Sequence, residues 1–118
     1  MDRGRPGDRP YTAAMPENAE VSPKAASEAI ANGAMLIDVR EKSEYDELHI
    51  PGSVLIPLGE LPARLAEVPA DRDVYVHCRM GGRSARAVDY LRVFGRPNSY
   101  NVTGGIDAWQ EAGLPMER

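Results

Sequence analysis

The stretch VYVHCRMGGRSARAVDYL, residues 74–91, runs from an apolar strand through a short polar loop into a helical pattern. Val74, Tyr75 and Val76 are β-branched or aromatic, and DVYVH (73–77) reads as a strand. In SARAVDYLRVF (84–94), Ala87, Val88, Leu91 and Phe94 recur at helical spacing, so an amphipathic helix is expected from Arg83 or Ser84 onward. Between strand and helix lie the only cysteine of the chain, Cys78, the glycines Gly81 and Gly82, and the arginines Arg79 and Arg83. A strand that feeds directly into a helix is the repeating unit of a parallel α/β sheet, and such sheets bind ligands at the carboxyl ends of their strands. Cys78 sits at that edge.

The rest of the chain repeats the alternation. Ser22-Pro23 supplies a capping hydroxyl and a proline suited to the first helical position, opening a helix over KAASEAIAN that stops at Gly33. MLIDV (35–39) is an apolar run interrupted only by Asp38, as expected of a strand buried on both faces. EKSEYDEL reads as a short helix halted before Pro51-Gly52, SVLIP (53–57) as a short strand, and LGELPARLAEV as a helix broken by Pro62. SYNV (99–102) reads as the last strand, and IDAWQEAG as a last helix behind Gly104-Gly105. The pattern predicts one α/β domain with a central, mainly parallel sheet over residues 19–118. Residues 1–18 place Asp2, Arg3, Arg5, Asp8 and Arg9 among prolines and glycines and read as a disordered tail, unable to bury enough apolar surface to offset the cost of ordering.

Composition narrows the function classes. At 118 residues the chain builds a single core without disulfide or metal support, and 42% apolar with 27% charged residues is ordinary for a globular protein. A net charge of −4 argues against a nucleic-acid partner. One cysteine forms no internal disulfide, so the fold does not depend on an oxidising compartment. The sequence holds neither a run of eighteen apolar residues nor the apolar stretch of a secretory signal at its start. The expectation is a cytoplasmic protein with no membrane partner.

Free cysteines are commonly small, inert, buried residues, and a thiol with a pKa of about 8.5 is only about 3% ionised at pH 7. The surroundings of Cys78 point the other way. Gly81 and Gly82 let the loop curl with its amides inward, the first helical turn leaves N–H groups without helical acceptors, and Arg79 and Arg83 add positive charge. Lowering the pKa by about two units takes about 2.7 kcal/mol of differential stabilisation. A helix N-terminus contributes about 0.3–1 kcal/mol. Charge-assisted hydrogen bonds, at about 1.5–3 kcal/mol each, supply the remainder. The loop therefore suits a nucleophilic sulfur with an anion beside it. Ser84 is either the helix N-cap or a hydrogen-bond donor to that sulfur, and Met80 at the loop tip forms an apolar lip.

Other chemically capable residues have structural readings. Asp38 and Arg40, at the carboxyl end of the 35–39 strand, either line the site or form an ion pair that ties loops together, with Glu44 as a third member. His77 precedes Cys78 on a strand, so the two side chains point to opposite faces and His77 is not the base for its neighbour. His49 suits a bond to a loop carbonyl, and Trp109, at helical spacing from Ile106, suits the core.

The loop VHCRMGGRSARA, together with LIDVRE, EYDELHIPGSVLIP and NVTGGIDAWQEAGLP in this order, resembles the single-domain rhodanese-like sulfurtransferases over residues 19–117. The resemblance implies a central five-stranded, mainly parallel sheet flanked by helices on both faces. It implies that Cys78 attacks the sulfane sulfur of thiosulfate or a persulfide donor, carries it as a persulfide, and passes it to cyanide, a thiol or a protein acceptor, with no metal or organic cofactor. It assigns Arg79, Met80, Gly81, Gly82, Arg83 and Ser84 to the cradle around a small anionic sulfur donor, with Arg79 and Arg83 orienting it. The spacing from Cys78 to Arg83, C-x4-R, matches the sulfurtransferases, whereas phosphatase relatives on the same fold carry one more residue. A cysteine phosphatase, an arsenate reductase and a non-catalytic binding module are the alternatives. Leu48 and Ser53 depart from the usual residues of the GHIPGA motif at positions that read as turn and packing sites. Because the chain has no second cysteine, the persulfide is discharged by an outside acceptor.

Overall fold

Alternation along two central strands organises the domain in the computed structural model, which describes residues 19–118. The tail read over residues 1–18 lies outside the described residues. In chain order the elements are β1 (Glu20–Val21), α1 (Pro23–Ala31), β2 (Met35–Asp38), α2 (Lys42–Glu47), β3 (Val54–Leu55), two 3-10 helices (Leu58–Glu60 and Pro62–Glu67), β4 (Val74–His77), α3 (Gly82–Val93), β5 (Ser99–Val102) and α4 (Gly105–Glu111). The five strands form one all-parallel sheet in the order β1-β5-β4-β2-β3.

Both faces of this sheet are covered. Ile37, Val39, Val74 and Val76 pack against Ala87, Val88 and Leu91 of α3 and against Leu61 and Val68 of the 3-10 segment. Leu36, Tyr75 and Val102 pack on the other side against Ala26 of α1 and Ile106 and Trp109 of α4. This is why β2 and β4 read as near-continuous apolar runs rather than alternating ones. The same period of two puts Cys78 on the α3 side with Val74 and Val76, and His77 on the opposite side with Tyr75.

The local signals act as expected at α1, where Ser22 Oγ accepts the Ala25 N–H at 3.1 Å, Pro23 is the first helical residue and Gly33 follows at φ +106°. All five expected strands are present, one of them unmarked by any local signal, and two expectations need amending. The fifth strand, β1, has two residues and pairs only with β5, too short to leave a periodic signal in sequence. The segment around Pro62 is not one broken α-helix but two 3-10 helices, closed by i-to-i+3 bonds such as Leu61 N–H to Leu58 O and Val68 N–H to Leu65 O. Phe94, expected on the buried stripe of α3, follows the last helical residue and is 51% exposed, its ring lying against Tyr90 at 4.5 Å.

At the carboxyl edge of β2, Asp38 and Arg40 form a buried bidentate pair. Arg40 Nη2 donates to Asp38 Oδ2 at 2.8 Å and to the Leu48 carbonyl at 2.8 Å, while Arg40 Nε and the Arg40 backbone N–H each donate to Oδ1 at 3.0 Å. This ties the β2–α2 connection to the end of α2. Leu48 serves as the turn carbonyl in that contact, and Ser53 Oγ donates to the Ile50 carbonyl at 2.7 Å, so both departures from the GHIPGA motif occupy turn positions. Removing one member strands the other charge in the interior. Asp38→Ala is expected to lower unfolding stability in urea by about 3–5 kcal/mol.

Candidate active site

The β4–α3 loop closes around the sulfur of Cys78. Gly81 stands at φ +112°, a conformation that an L side chain rarely adopts, and acts as the N-cap of α3. That turn aims the Gly81 N–H at Cys78 Sγ, 3.1 Å away, and the first helical turn adds the Ser84 N–H at 3.4 Å and the Ser84 hydroxyl at 3.3 Å. The helix begins at Gly82, one residue ahead of the expected start, so Ser84 is the third helical residue rather than the cap. Its hydroxyl is a donor to sulfur. Gly82 has ordinary backbone angles and open space where a Cβ would stand, so only Gly81 of the pair is demanded by the turn.

The loop is held from below by α4. The Ile106 N–H donates to the Cys78 carbonyl at 2.9 Å and the Asp107 N–H to the Arg79 carbonyl at 3.1 Å. The approach is possible because Gly105, at φ +60°, has no side chain: a Cβ there would meet the Cys78 and Arg79 carbonyl oxygens at 2.5 Å. Asn101 on β5 adds a further brace, donating from Nδ2 to the Gly81 carbonyl at 3.3 Å and to Glu20 Oε2 at 3.0 Å. In the sequence Gly104-Gly105 reads only as part of a motif, and Asn101 as an ordinary strand residue. A Gly-Gly pair directly ahead of a helix was the available signal for the first; nothing local marks the second.

Burial pushes the Cys78 thiol up, but the Ser84 hydroxyl, the Ser84 and Gly81 amides and the Met80 amide together outweigh it and bring the thiol below its ordinary range. His77 is not part of this set. Its ring is fully buried on the other face, Nδ1 donates to the Cys78 carbonyl at 3.0 Å, Nε2 stands 3.6 Å from Asp38 Oδ2, and burial holds its pKa below the ordinary histidine value. His49 stacks on Tyr45 and bonds the Tyr45 carbonyl at 2.8 Å, and Trp109 is a core residue whose Nε1 donates to the Pro115 carbonyl.

Cys78 is 2% exposed and forms the floor of a cavity of about 400 Å³ lined also by Arg79, Met80, Gly82, Arg83 and Arg86. Met80 is 68% exposed at the rim. Arg83 is engaged: its Nη1 and Nη2 donate to Glu44 Oε1 and Oε2 at 2.8 and 3.1 Å. Glu44 thus pairs with the β4–α3 loop region rather than joining Asp38 and Arg40. Through the Arg83 hydrogen bonds its pKa falls to about 2, so the bridge persists across the whole range in which a thiol titrates. Arg79 Nε lies 3.6 Å from Asp107 on an exposed surface. Arg86, one helical turn beyond the loop, lines the same cavity and carries no hydrogen bond or ion pair among the described residues. The sequence reading did not single it out, because a helical arginine looks like any solvated charge.

The cradle has a measurable consequence. Plotted against pH, the alkylation rate of Cys78 by iodoacetamide is expected to reach its midpoint below that of free cysteine, and Ser84→Ala is expected to move that midpoint up by about one unit. Because the folded-state pKa lies below the unfolded one, Cys78 ionisation stabilises the fold above the unfolded thiol's pKa, and this contribution is lost as pH falls through the folded value. An unchanged midpoint in Ser84→Ala would mean that the hydroxyl does not support the thiolate.

Comparison with known proteins places this geometry. Residues 22–112 match the Rhodanese-like domain. A protein of Allochromatium vinosum named "Sulfurtransferase" is 36% identical over 99 residues, covering 82% of this chain and 92% of that protein. The "Adenylyltransferase and sulfurtransferase uba4" of Ogataea parapolymorpha is 40% identical over 75 residues, which are 63% of this chain and only 19% of that larger protein. The crystal structure of a rhodanese-related protein from Thermoplasma volcanium superimposes with a TM-score of 0.77 at 34% identity, covering 83% of this chain and 96% of that one. With its all-parallel five-stranded sheet and a cysteine loop between β4 and α3, the chain belongs to the rhodanese-like family.

Proposed function

We propose that this protein is a sulfurtransferase that moves a sulfane sulfur from thiosulfate or a persulfide donor to a thiol, protein or cyanide acceptor through a persulfide on Cys78. The observation that carries the reading is the donor set on Sγ: the Gly81 N–H, the Ser84 N–H and the Ser84 hydroxyl all converge on one sulfur at the floor of an arginine-rimmed cavity. Sulfurtransferases among the relatives support the same class of chemistry.

That geometry supports a two-step transfer. The Cys78 thiolate attacks the outer sulfur of the donor and forms a new S–S bond. The old S–S bond of the donor breaks and its electron pair leaves with sulfite, when thiosulfate is the donor. An acceptor nucleophile then attacks the outer sulfur of the Cys78 persulfide, and the electron pair returns to Sγ. The donors on Sγ raise the fraction of Cys78 present as thiolate for the first step, and they receive the thiolate again as the leaving group of the second, whose barrier they lower. Neither step is a net oxidation or reduction.

The positive charge that draws in an anionic donor comes chiefly from Arg86, with a lesser part from Arg79, whose contact to Asp107 is long and exposed, since Arg83 is bound closely by Glu44. The six-residue loop from Cys78 to Arg83 makes a tighter ring than the phosphatase relatives use, which favours sulfur over phosphate. No helix among the described residues is long and apolar enough to cross a membrane. A thiol that must stay free for turnover suits a reducing compartment, the cytoplasm.

After incubation with thiosulfate and desalting, intact mass is expected to show one added sulfur that cyanide removes, with none on Cys78→Ser. No such adduct on the native protein would sink the proposal, and turnover of an aryl phosphate in its place would point to phosphoryl chemistry instead. In steady-state assays Arg86→Ala is expected to raise the KM for thiosulfate about two- to fivefold with kcat little changed, an effect that shrinks as salt is added.

A further inference from the structure

Beside the sulfur cavity lies a second one, of about 300 Å³. Arg79 borders both, and the Arg83–Glu44 ion pair stands between them, with Arg83 lining the first and Glu44 the second. The proposed chemistry leaves this second cavity without a role.

Its most informative wall is Arg40. This residue is only 5% exposed, and it lines the cavity. Nε and Nη2 are committed to Asp38 and to the Leu48 carbonyl, but Nη1 has no hydrogen-bond partner among the described residues. Nor is Nη1 among the side-chain atoms sealed from solvent without a partner. A guanidinium this deeply buried normally has its donors satisfied, so the free one marks a place for an acceptor. The same cavity is lined by Glu47 and Gln110, whose side chains make no hydrogen bond or ion pair among the described residues.

Charge decides the ligand class. A simple carboxylate would satisfy Arg40 but also face Glu44, Glu47 and Asp107. A simple amine would satisfy Glu47 but face Arg40 and Arg79. Only a ligand carrying both charges meets both sets. Small-molecule sites span about 300–1,000 Å³, so this one is amino-acid-sized.

We propose that this cavity binds the sulfur acceptor, a small thiol bearing an α-amino acid group. Its carboxylate lies on Arg40 Nη1 with help from Gln110, its ammonium on Glu47, and its sulfur reaches across Arg79 toward Cys78. The inference rests on the sulfurtransferase reading. In the step it serves, the acceptor thiol loses its proton to water and attacks the outer sulfur of the Cys78 persulfide. One S–S bond forms, the bond from the outer sulfur to Sγ breaks, and the electron pair returns to Sγ. The product is the persulfide of the acceptor, and no oxidant or reductant is consumed.

The test discharges the preformed Cys78 persulfide with L-cysteine, with cysteamine, which lacks the carboxylate, and with 3-mercaptopropionate, which lacks the ammonium. Rates are taken per thiolate and expressed relative to cyanide discharge of the same protein. L-cysteine is expected to saturate and to exceed both analogues by about tenfold, the worth of one charge-assisted hydrogen bond. Glu47→Gln is expected to erase the advantage over 3-mercaptopropionate, and Gln110→Glu, which sets a negative charge beside the carboxylate position, to erase the advantage over cysteamine. Both residues are exposed, so neither variant threatens the fold. Equal rates for the three thiols, or ratios unchanged in both variants, overturn the proposal while leaving sulfur transfer intact. If cyanide also releases no sulfur, the sulfurtransferase reading fails and the subsite proposal falls with it.

Discussion

The contact between the first turn of α4 and the peptide units of Cys78 and Arg79 is the constraint on which the site depends. A peptide unit is planar and trans, so its carbonyl and N–H point in opposite directions. When the Asp107 N–H takes the Arg79 carbonyl, the Met80 N–H of the same unit is turned toward the sulfur, where it helps hold the thiol below its ordinary range. The Ile106 N–H takes the Cys78 carbonyl in the same way. Gly105 makes this seat possible, since any Cβ there would collide with both carbonyl oxygens. One helix start thus serves the loop's acceptors, while the start of α3 serves the sulfur. Cys78 sits between two helix N-termini that face different atoms.

Arginine is distributed with the same economy around the cysteine. Arg40 is locked to Asp38 inside the domain and braces the end of α2. Arg83 is locked to Glu44, thirty-nine residues away in sequence, and so fixes α2 against the start of α3. Arg79 and Arg86 stand on the outer surface, Arg79 in a long, exposed contact with Asp107 and Arg86 with no partner among the described residues. The rigid arginines shape the walls and the exposed ones set the field, a division that a count of positive residues in the loop does not reveal.

Much of this was readable in the chain. Ser22-Pro23, Gly33, the apolar runs of β2 and β4, and the helix after Cys78 are local signals, and each leads to the element found. The opposite facing of His77 and Cys78 followed from strand periodicity alone. The harder cases share a cause. β1 is two residues long and owes its existence to β5. Phe94 lies on the extrapolated helical stripe, but the helix ends before it. Glu44 has Arg40 near it in sequence and Arg83 near it in space, and the tertiary fold chose the second.

By itself the sequence determined the α/β alternation, the single thiol at the carboxyl edge of a strand, and a loop of fixed length leading into a helix. These follow from side-chain periodicity and backbone preference, which act over a few residues. Which donors reach the sulfur, which arginines are neutralised and which cavity borders the site were decided only by tertiary structure. Those outcomes depend on where α2, α4 and β5 come to rest against the β4–α3 loop, and distances between segments are set by the packing of both faces of the sheet.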